Sequence, residues 1–267
     1  MKPKDFLLRT ALLALSATPL QAAISYATYG STLTENFNTL ASSGTDPVAW
    51  ADNSTIPGWY AVSRIPTPVA SFSSYTVSTG GTAAVGTIQS LGPSGNIDRA
   101  LGSQNHNSGT SAISYGVSIS NDTSGIISAF NLQYAGEQWR AIVGEIADGL
   151  TFDYQIFAAG TGSLSATSGW TSVSALTFTA PVTEPSGGSS RAINGNTAGR
   201  VVLASDVTGI SWGQGQELWL RWTDNSTGGN RRAAVGIDDV SFTAIPEPAA
   251  AVLGAFGALL LLGRRRS

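Results

Sequence analysis

The stretch Glu217-Leu218-Trp219-Leu220-Arg221-Trp222 contains the clearest structural pattern in the chain. Two leucines and a tryptophan alternate there with a glutamate, a tryptophan and an arginine. Because successive side chains of a β-strand point to opposite faces, this period of two predicts a strand. We expect Leu218, Leu220 and Trp222 to face the protein core.

The same period recurs along the chain in both directions. Phe152, Tyr154 and Ile156 alternate with polar residues, and so do the apolar residues between 113 and 119. Clusters of Gly, Ser, Thr and Asn, such as Asn121-Asp122-Thr123-Ser124-Gly125, separate the runs and predict turns. These features predict an all-β fold, an antiparallel β-sandwich of jelly-roll type.

Composition and charge narrow the classes of partner. The chain has 267 residues, and the span 23–245 suits one β-domain once both ends are set aside. That span holds eight arginines, no lysine and 15 acidic residues, a net charge of about −7. Because an acidic domain repels phosphate backbones, nucleic acid is not an expected partner. The chain has no cysteine, which excludes disulfides and cysteine-ligated zinc.

Residues 1–22 have the pattern of a secretory signal peptide. Three basic residues lie among the first nine, an uncharged run follows, and small residues stand at Ala22 and Ala23. The alternative, a buried core helix, would place three basic residues at the start of an apolar helix. We therefore expect a signal-peptide helix, removal by signal peptidase and export across the inner membrane.

Residues 246–267 have the pattern of a membrane-sorting tail. The triplet Pro246-Glu247-Pro248 precedes fourteen unbroken apolar residues, and Arg264-Arg265-Arg266 follow. A helix of that length spans about 21 Å, and snorkelling arginines can extend its reach toward the full hydrocarbon thickness. The basic end predicts a transmembrane helix whose C-terminus stays in the cytoplasm.

This tail resembles the PEP-CTERM sorting signal of Gram-negative bacteria, in which a Pro-Glu-Pro triplet, an apolar span and a basic terminus occur in that order. The resemblance covers about 22 residues. It implies membrane attachment through the tail before processing, cleavage by an exosortase, and a final location in the cell envelope, at the cell surface or outside the cell. Proteins of this kind typically occur in bacteria that secrete exopolysaccharide.

The middle of the chain resembles an uncharacterised family of exported bacterial β-domains. Four pieces carry the resemblance: Glu35-Asn36-Phe37-Asn38-Thr39-Leu40, Gly136-Glu137-Gln138-Trp139-Arg140, Arg221-Trp222-Thr223-Asp224 and Ile237-Asp238-Asp239-Val240. The family implies a β-fold and no particular activity.

A calcium site is the first candidate chemistry. Jelly-roll carbohydrate-binding modules often begin with an acidic residue near an aromatic one and end with Ile-Asp-Asp-Val, and this chain is similar at Glu35, Asp238 and Asp239. If the first and last strands pair, these acids approach each other and could supply oxygen ligands to Ca²⁺. The alternative is that they are solvated residues at the ends of strands.

The two neighbouring aspartates cannot both point inward, since they are adjacent on one strand. If Asp239 follows Ile237 into the core, its carboxylate needs a partner. A cation, Arg221, Arg140 or backbone amides could serve. An arginine would make an ordinary ion pair that needs no metal.

Sugar binding is the second candidate. The chain has seven tryptophans, and we select Trp139 and Trp219 as residues whose ring faces could stack on a sugar. The alternative is that most tryptophans pack in the core. Glycoside hydrolysis is the third candidate, with Glu137, Glu145, Asp148 and Asp153 as the available carboxylates, although Glu137 could simply pair with Arg140.

The sequence therefore favours an exported envelope or matrix protein with a non-catalytic β-sandwich that binds extracellular polysaccharide. A polysaccharide hydrolase and a purely structural surface protein remain as alternatives. Two carboxylates facing each other in a groove would favour the hydrolase, and a flat strip of tryptophans would favour binding.

The two ends generate a prediction about processing. Protein purified from its native host should begin near Ala23 and lack Arg264, Arg265 and Arg266, because both signals direct cleavage. Intact-mass spectrometry measures this directly. A mature product that retains both termini would contradict the assignment.

Overall fold

Two β-sheets make up the computed structural model, which describes residues 23–45, 47–65, 69–105, 112–143, 148–183, 189–225 and 233–246. Its seventeen strands are β1 (Ile24–Tyr26), β2 (Thr32–Glu35), β3 (Val48–Ala49), β4 (Trp59–Ile65), β5 (Ala70–Ser71), β6 (Ser74–Ser78), β7 (Thr87–Leu91), β8 (Ala100–Gln104), β9 (Ala112–Asn121), β10 (Ile127–Ala141), β11 (Gly149–Phe157), β12 (Thr171–Ser172), β13 (Phe178–Thr179), β14 (Arg191–Ala192), β15 (Arg200–Trp212), β16 (Glu217–Asn225) and β17 (Ala234–Pro246). A 3₁₀ turn covers Ser174–Leu176.

The strands divide into a first sheet of eight and a second sheet of nine. The first has the order β12-β11-β16-β9-β4-β5, with β1 added beside β9 and β13 beside β11. The second has the order β14-β10-β17-β8-β7-β6-β3, with β15 added beside β10 and β2 beside β17. The all-β, two-sheet prediction is therefore confirmed, and the arrangement is that of a β-sandwich.

Two strand pairs depart from the antiparallel pattern. Strand β1 runs parallel to β9, and β6 runs parallel to β7. Every other pair in the described part of the chain is antiparallel. Each parallel pair includes at least one short strand of three to five residues, and no two long strands pair in parallel. The long strands keep the predicted antiparallel arrangement.

The alternating stretch from Glu217 to Trp222 belongs to strand β16, which lies between β9 and β11 in the first sheet. Its Leu218, Leu220 and Trp222 are fully buried between the sheets. On the neighbouring strand Phe152 is fully buried, and partly buried side chains at 154 and 156 pack against the same core. The alternation therefore identified the core face correctly.

Aromatic contacts join the two sheets at Trp222. Its ring stacks on Trp59 of the same sheet at 5.8 Å and meets Phe152 edge-on at 5.2 Å. Across the core it meets Tyr134 of the second sheet edge-on at 5.5 Å. Aromatic pairs of this kind add about 0.5–1.5 kcal/mol each beyond their buried area.

Replacing Trp222 by alanine should therefore lower the free energy of unfolding by about 3–5 kcal/mol. The reason is the cavity left where three aromatic rings meet. Urea unfolding of the purified protein measures the change. Trp170→Ala is the matched control, because this indole is only partly buried at the edge of the first sheet. An equal loss of unfolding free energy in the two variants would contradict the central position of Trp222 in the core.

Candidate functional site

A β-bulge in the last strand determines where the acidic residues of Ile237-Asp238-Asp239-Val240 point. Asp238 lies opposite Ala135 and Ser241 lies opposite Gln133, so two residues of β17 face the single Tyr134 of β10. The bulged Asp239 has a φ of 48°, the left-handed region that β-bulges often use. The extra residue shifts the alternation of the strand by one.

The shift places both Ile237 and Val240 in the core. Asp238 is buried on the outer face of the second sheet, and the Asp239 side chain is 55% exposed. Asp239 does not follow Ile237 inward, because strict alternation cannot continue through a bulge.

The first and last strands of the second sheet do pair. Glu35 of β2 lies opposite Val240 of β17, which is the pairing that the resemblance to jelly-roll modules led us to expect. An open cleft of about 430 Å³ lies at this junction, within the range of roughly 300–1,000 Å³ typical of ligand sites. Its walls are Thr34, Glu35, Asn36, Thr39, Asp239, Val240 and Ser241. Hydroxyl, amide and carboxylate groups therefore converge on one concave surface.

Arg200 of β15 is the cation that partners the acids beside this cleft. Its guanidinium donates to Glu137 at 3.0 Å and to Asp239 at 2.7 Å. The sequence suggested Arg140 or Arg221 instead. Arg140 donates to the backbone carbonyls of Gly80 and Gly81, each at 2.8 Å.

The predicted calcium ligands each have a protein partner. Glu35 accepts from the backbone N–H of Phe37 at 2.6 Å, Asp238 accepts from the N–H of Asp239 at 2.7 Å, and Asp239 binds Arg200. Among the residues that the structure describes, no three His, Cys, Asp or Glu side chains are grouped to hold a metal. The ion-pair alternative therefore accounts for Asp239.

Two carboxyls on the outer face of the second sheet have raised pKa values. Burial raises the pKa of Asp238 to about 8, opposed by the hydrogen bond from the N–H of Asp239 and reinforced by the charge of Glu137. Burial also raises the pKa of Glu137, opposed by the hydrogen bond from Trp139 and the charge of Arg200. This shift favours the protonated form of Asp238 at neutral pH.

The two tryptophans selected for sugar stacking are buried. Trp139 is 2% exposed and Trp219 is fully buried, so neither ring face is open to a ligand. A Cβ at Gly195 would lie 2.2 Å from the first indole, and one at Gly162 would lie 1.9 Å from the second. Loops covering the outer faces of both sheets therefore close over these rings. Both serve packing, in two small clusters that are separate from the main core between the sheets.

The same two rings belong to a repeated pairing that sequence reasoning missed. Trp139 donates its indole N–H to Glu137 at 2.9 Å, and Trp219 donates to Glu217 at 3.0 Å. Each pair spans two positions on one strand, so both side chains lie on the same face. The Glu-x-Trp spacing was visible in the sequence and is the signal that could have revealed it.

Two further hydrolase candidates, Asp148 and Asp153, have structural partners, and the third, Glu145, lies outside the described residues. Asp148 is buried and accepts from the N–H groups of Gly149 at 2.8 Å and Ala233 at 3.0 Å. Asp153 pairs with Arg221 at 3.0 Å. These contacts hold backbone and strands together and leave neither carboxylate in the cleft described above.

Of the sorting motif, only Pro246 lies within the described residues, where it ends β17 opposite Ile127. Residues 1–22, Glu247, Pro248 and the three arginines from 264 to 266 lie outside them. No helix in the described ranges is long and apolar enough to cross a membrane.

No protein-family model and no curated protein matches this chain. Among solved structures, the enzymatically active domain of bacteriophage CBA120 tailspike protein 4 matches at 10% identity and a TM-score of 0.36, over 70% of this chain and 19% of that one. The CBM22-1 and GH10 modules of Clostridium thermocellum endo-1,4-beta-D-xylanase 10B match at 7% identity and a TM-score of 0.32, over 85% and 30%. The chain spans less than a third of either structure, and likenesses this distant carry no conclusion about it.

The buried carboxyl of Asp238 generates a prediction about pH. The unfolded chain releases this proton near pH 4, whereas the folded protein holds it to about pH 8, so the folded state binds more protons between these values. Stability should therefore fall as the pH rises through this window.

Asp238→Asn should reduce that slope, because asparagine keeps the carbonyl acceptor and cannot ionise. Urea unfolding at pH 4 to 9 measures the slope, with Asp206→Asn on the exposed face of β15 as the control. A slope unchanged by Asp238→Asn and reduced by Asp206→Asn would show that the titrating group is elsewhere.

Proposed function

We propose that this chain is an exported, non-catalytic β-sandwich protein that binds extracellular polysaccharide in the cleft between β2 and β17. The observation that carries the proposal is the chemistry of that cleft. Thr34, Thr39 and Ser241 offer hydroxyls, Asn36 offers an amide, and Glu35 and Asp239 offer carboxylates. Groups of these kinds hydrogen-bond sugar hydroxyls, which both donate and accept.

A jelly-roll arrangement is part of this proposal. The long strands alternate between the sheets along the chain, with β9, β11 and β16 in the first and β10, β15 and β17 in the second. The early strand β2 also pairs with the final strand. Both features support jelly-roll topology, in which chain ends meet in one sheet.

Export and sorting complete the proposal. We infer that signal peptidase releases residues 1–22 and that an exosortase recognises the tail from 246 to 267. Until that cleavage, the tail anchors the protein in the membrane. The pattern of each end supports this. Because the described β-strands end at Pro246, the sandwich would remain whole after cleavage at the tail.

A polysaccharide hydrolase is the second candidate, since two carboxylates, Glu35 and Asp239, line the same cleft. Hydrolysis needs one carboxyl that retains a proton as the general acid. The carboxyl with a pKa of about 8 is Asp238, which is buried and does not line the cleft, while Asp239 is ion-paired to Arg200. The carboxyl with the raised pKa therefore lies outside the cleft, and this favours binding without catalysis.

A glycan array probed with the purified protein tests the proposal. Asn36→Ala should weaken binding to the retained glycans by about tenfold, because it removes one amide from the cleft. Asn131→Ala is the matched control, since this residue binds Asp206 away from the cleft. Reducing ends released from a bound glycan would favour the hydrolase, and a protein that binds no glycan would favour the structural alternative.

A further inference from the structure

A second, apolar cavity lies between the sheets beside the cleft. It measures about 40 Å³, and Thr34, Glu35 and Val240 belong to the walls of both. A water molecule needs roughly 10–15 Å³ of such space, so the cavity has room for a group of about three heavy atoms.

The floor of this cavity is one row of residues across the first sheet. Trp59 of β4 lies opposite Val117 of β9, which lies opposite Leu220 of β16. Ile24 and Ile119, paired on β1 and β9, complete this side. The floor is therefore made of aliphatic and indole surface.

The roof comes from the second sheet. Leu33 of β2 lies opposite Phe242 of β17, next to the Glu35–Val240 pair. In the described part of the chain β2 pairs only with β17 and β1 pairs only with β9, so the cavity lies where both sheets end. A substituent can thus enter from the side of the sandwich.

One wall residue has an unsatisfied polar atom. Trp59 is 1% exposed, and its indole N–H has no hydrogen-bond acceptor among the described residues. A buried polar atom without a partner costs free energy, and of the seven such side-chain atoms in the described residues this is the one that belongs to a wall of the cavity. A water is a poor partner here, because it needs two to four polar contacts and the surrounding walls are mostly hydrocarbon.

We propose that this cavity is a subsite for the acetyl group of an acetylated sugar. The methyl group packs against Val117 and Leu220, and the carbonyl oxygen accepts from the indole N–H of Trp59. The sugar ring itself lies in the neighbouring cleft, so this inference rests on the proposed function. An acetyl group has three heavy atoms, one apolar end and one acceptor, which is the combination that the cavity offers.

Calorimetric titration with two matched tetrasaccharides tests the subsite. Chitotetraose carries an N-acetyl group on every ring, whereas cellotetraose has a hydroxyl at the same position. The purified protein should bind chitotetraose about tenfold more tightly or better, from one added hydrogen bond and one buried methyl group.

Val117→Ile places an extra methyl group at the cavity floor and should bring the ratio of the two affinities close to one. Val207→Ile is the matched control, because this core valine lines neither the cleft nor the cavity. It should leave the ratio of the two affinities unchanged. Thermal melting of both variants confirms that they remain folded.

An independent readout follows the indole N–H of Trp59 by NMR, assigned through loss of its signal in Trp59→Phe. Chitotetraose should shift this resonance, and cellotetraose should not. Equal affinities for the two sugars, or a ratio unaffected by Val117→Ile, would overturn the acetyl subsite and leave the proposed function standing. Failure to bind either tetrasaccharide would also overturn the subsite, and the glycan array would then decide the proposed function separately.

Discussion

The ladder between β10 and β17, with its bulge at Asp239, is the constraint on which the rest of the second sheet depends. The bulge allows Ile237 and Val240 to enter the core together, with two aspartates between them. It also brings Val240 opposite Glu35. Without the extra residue, the half of β17 that pairs with β2 would turn its other face inward, and neither the cleft nor the apolar cavity would exist.

The same pair of residues, a glutamate and a tryptophan joined by a hydrogen bond, is buried on the outer face of each sheet. A glutamate accepts the indole N–H of a tryptophan two positions later, at Glu137 and Trp139 on one sheet and at Glu217 and Trp219 on the other. The paired acceptor lets the whole indole be buried beneath a loop, since its only polar atom is satisfied. Aromatic residues that could have formed a flat binding strip therefore serve packing instead.

Charge is distributed unevenly around the cleft. Arg200 neutralises two carboxylates at once, Glu137 on its buried side and Asp239 on its exposed side. Asp238 has no ion pair with another described residue, and burial favours its protonated form instead. A domain with a net charge of about −7 thus avoids an unpaired buried anion in two ways. Glu137 forms an ion pair with Arg200, and Asp238 favours its neutral, protonated form.

Period-two alternation was enough to predict the all-β class and the core face of β16 and β11. Those features depend on which side chains avoid water, and the local order of apolar and polar residues determines that. The pairing that brings Glu35 beside Val240 was expected only from the resemblance to jelly-roll modules. The direction of Asp239, the choice of Arg200 as partner, the burial of Trp139 and the cavity beside Trp59 depended on a bulge, on register and on distant loops. Only the tertiary structure decided them, because a shift of one residue exchanges the two faces of a strand and the cost of burying a charge depends on neighbours far away in sequence.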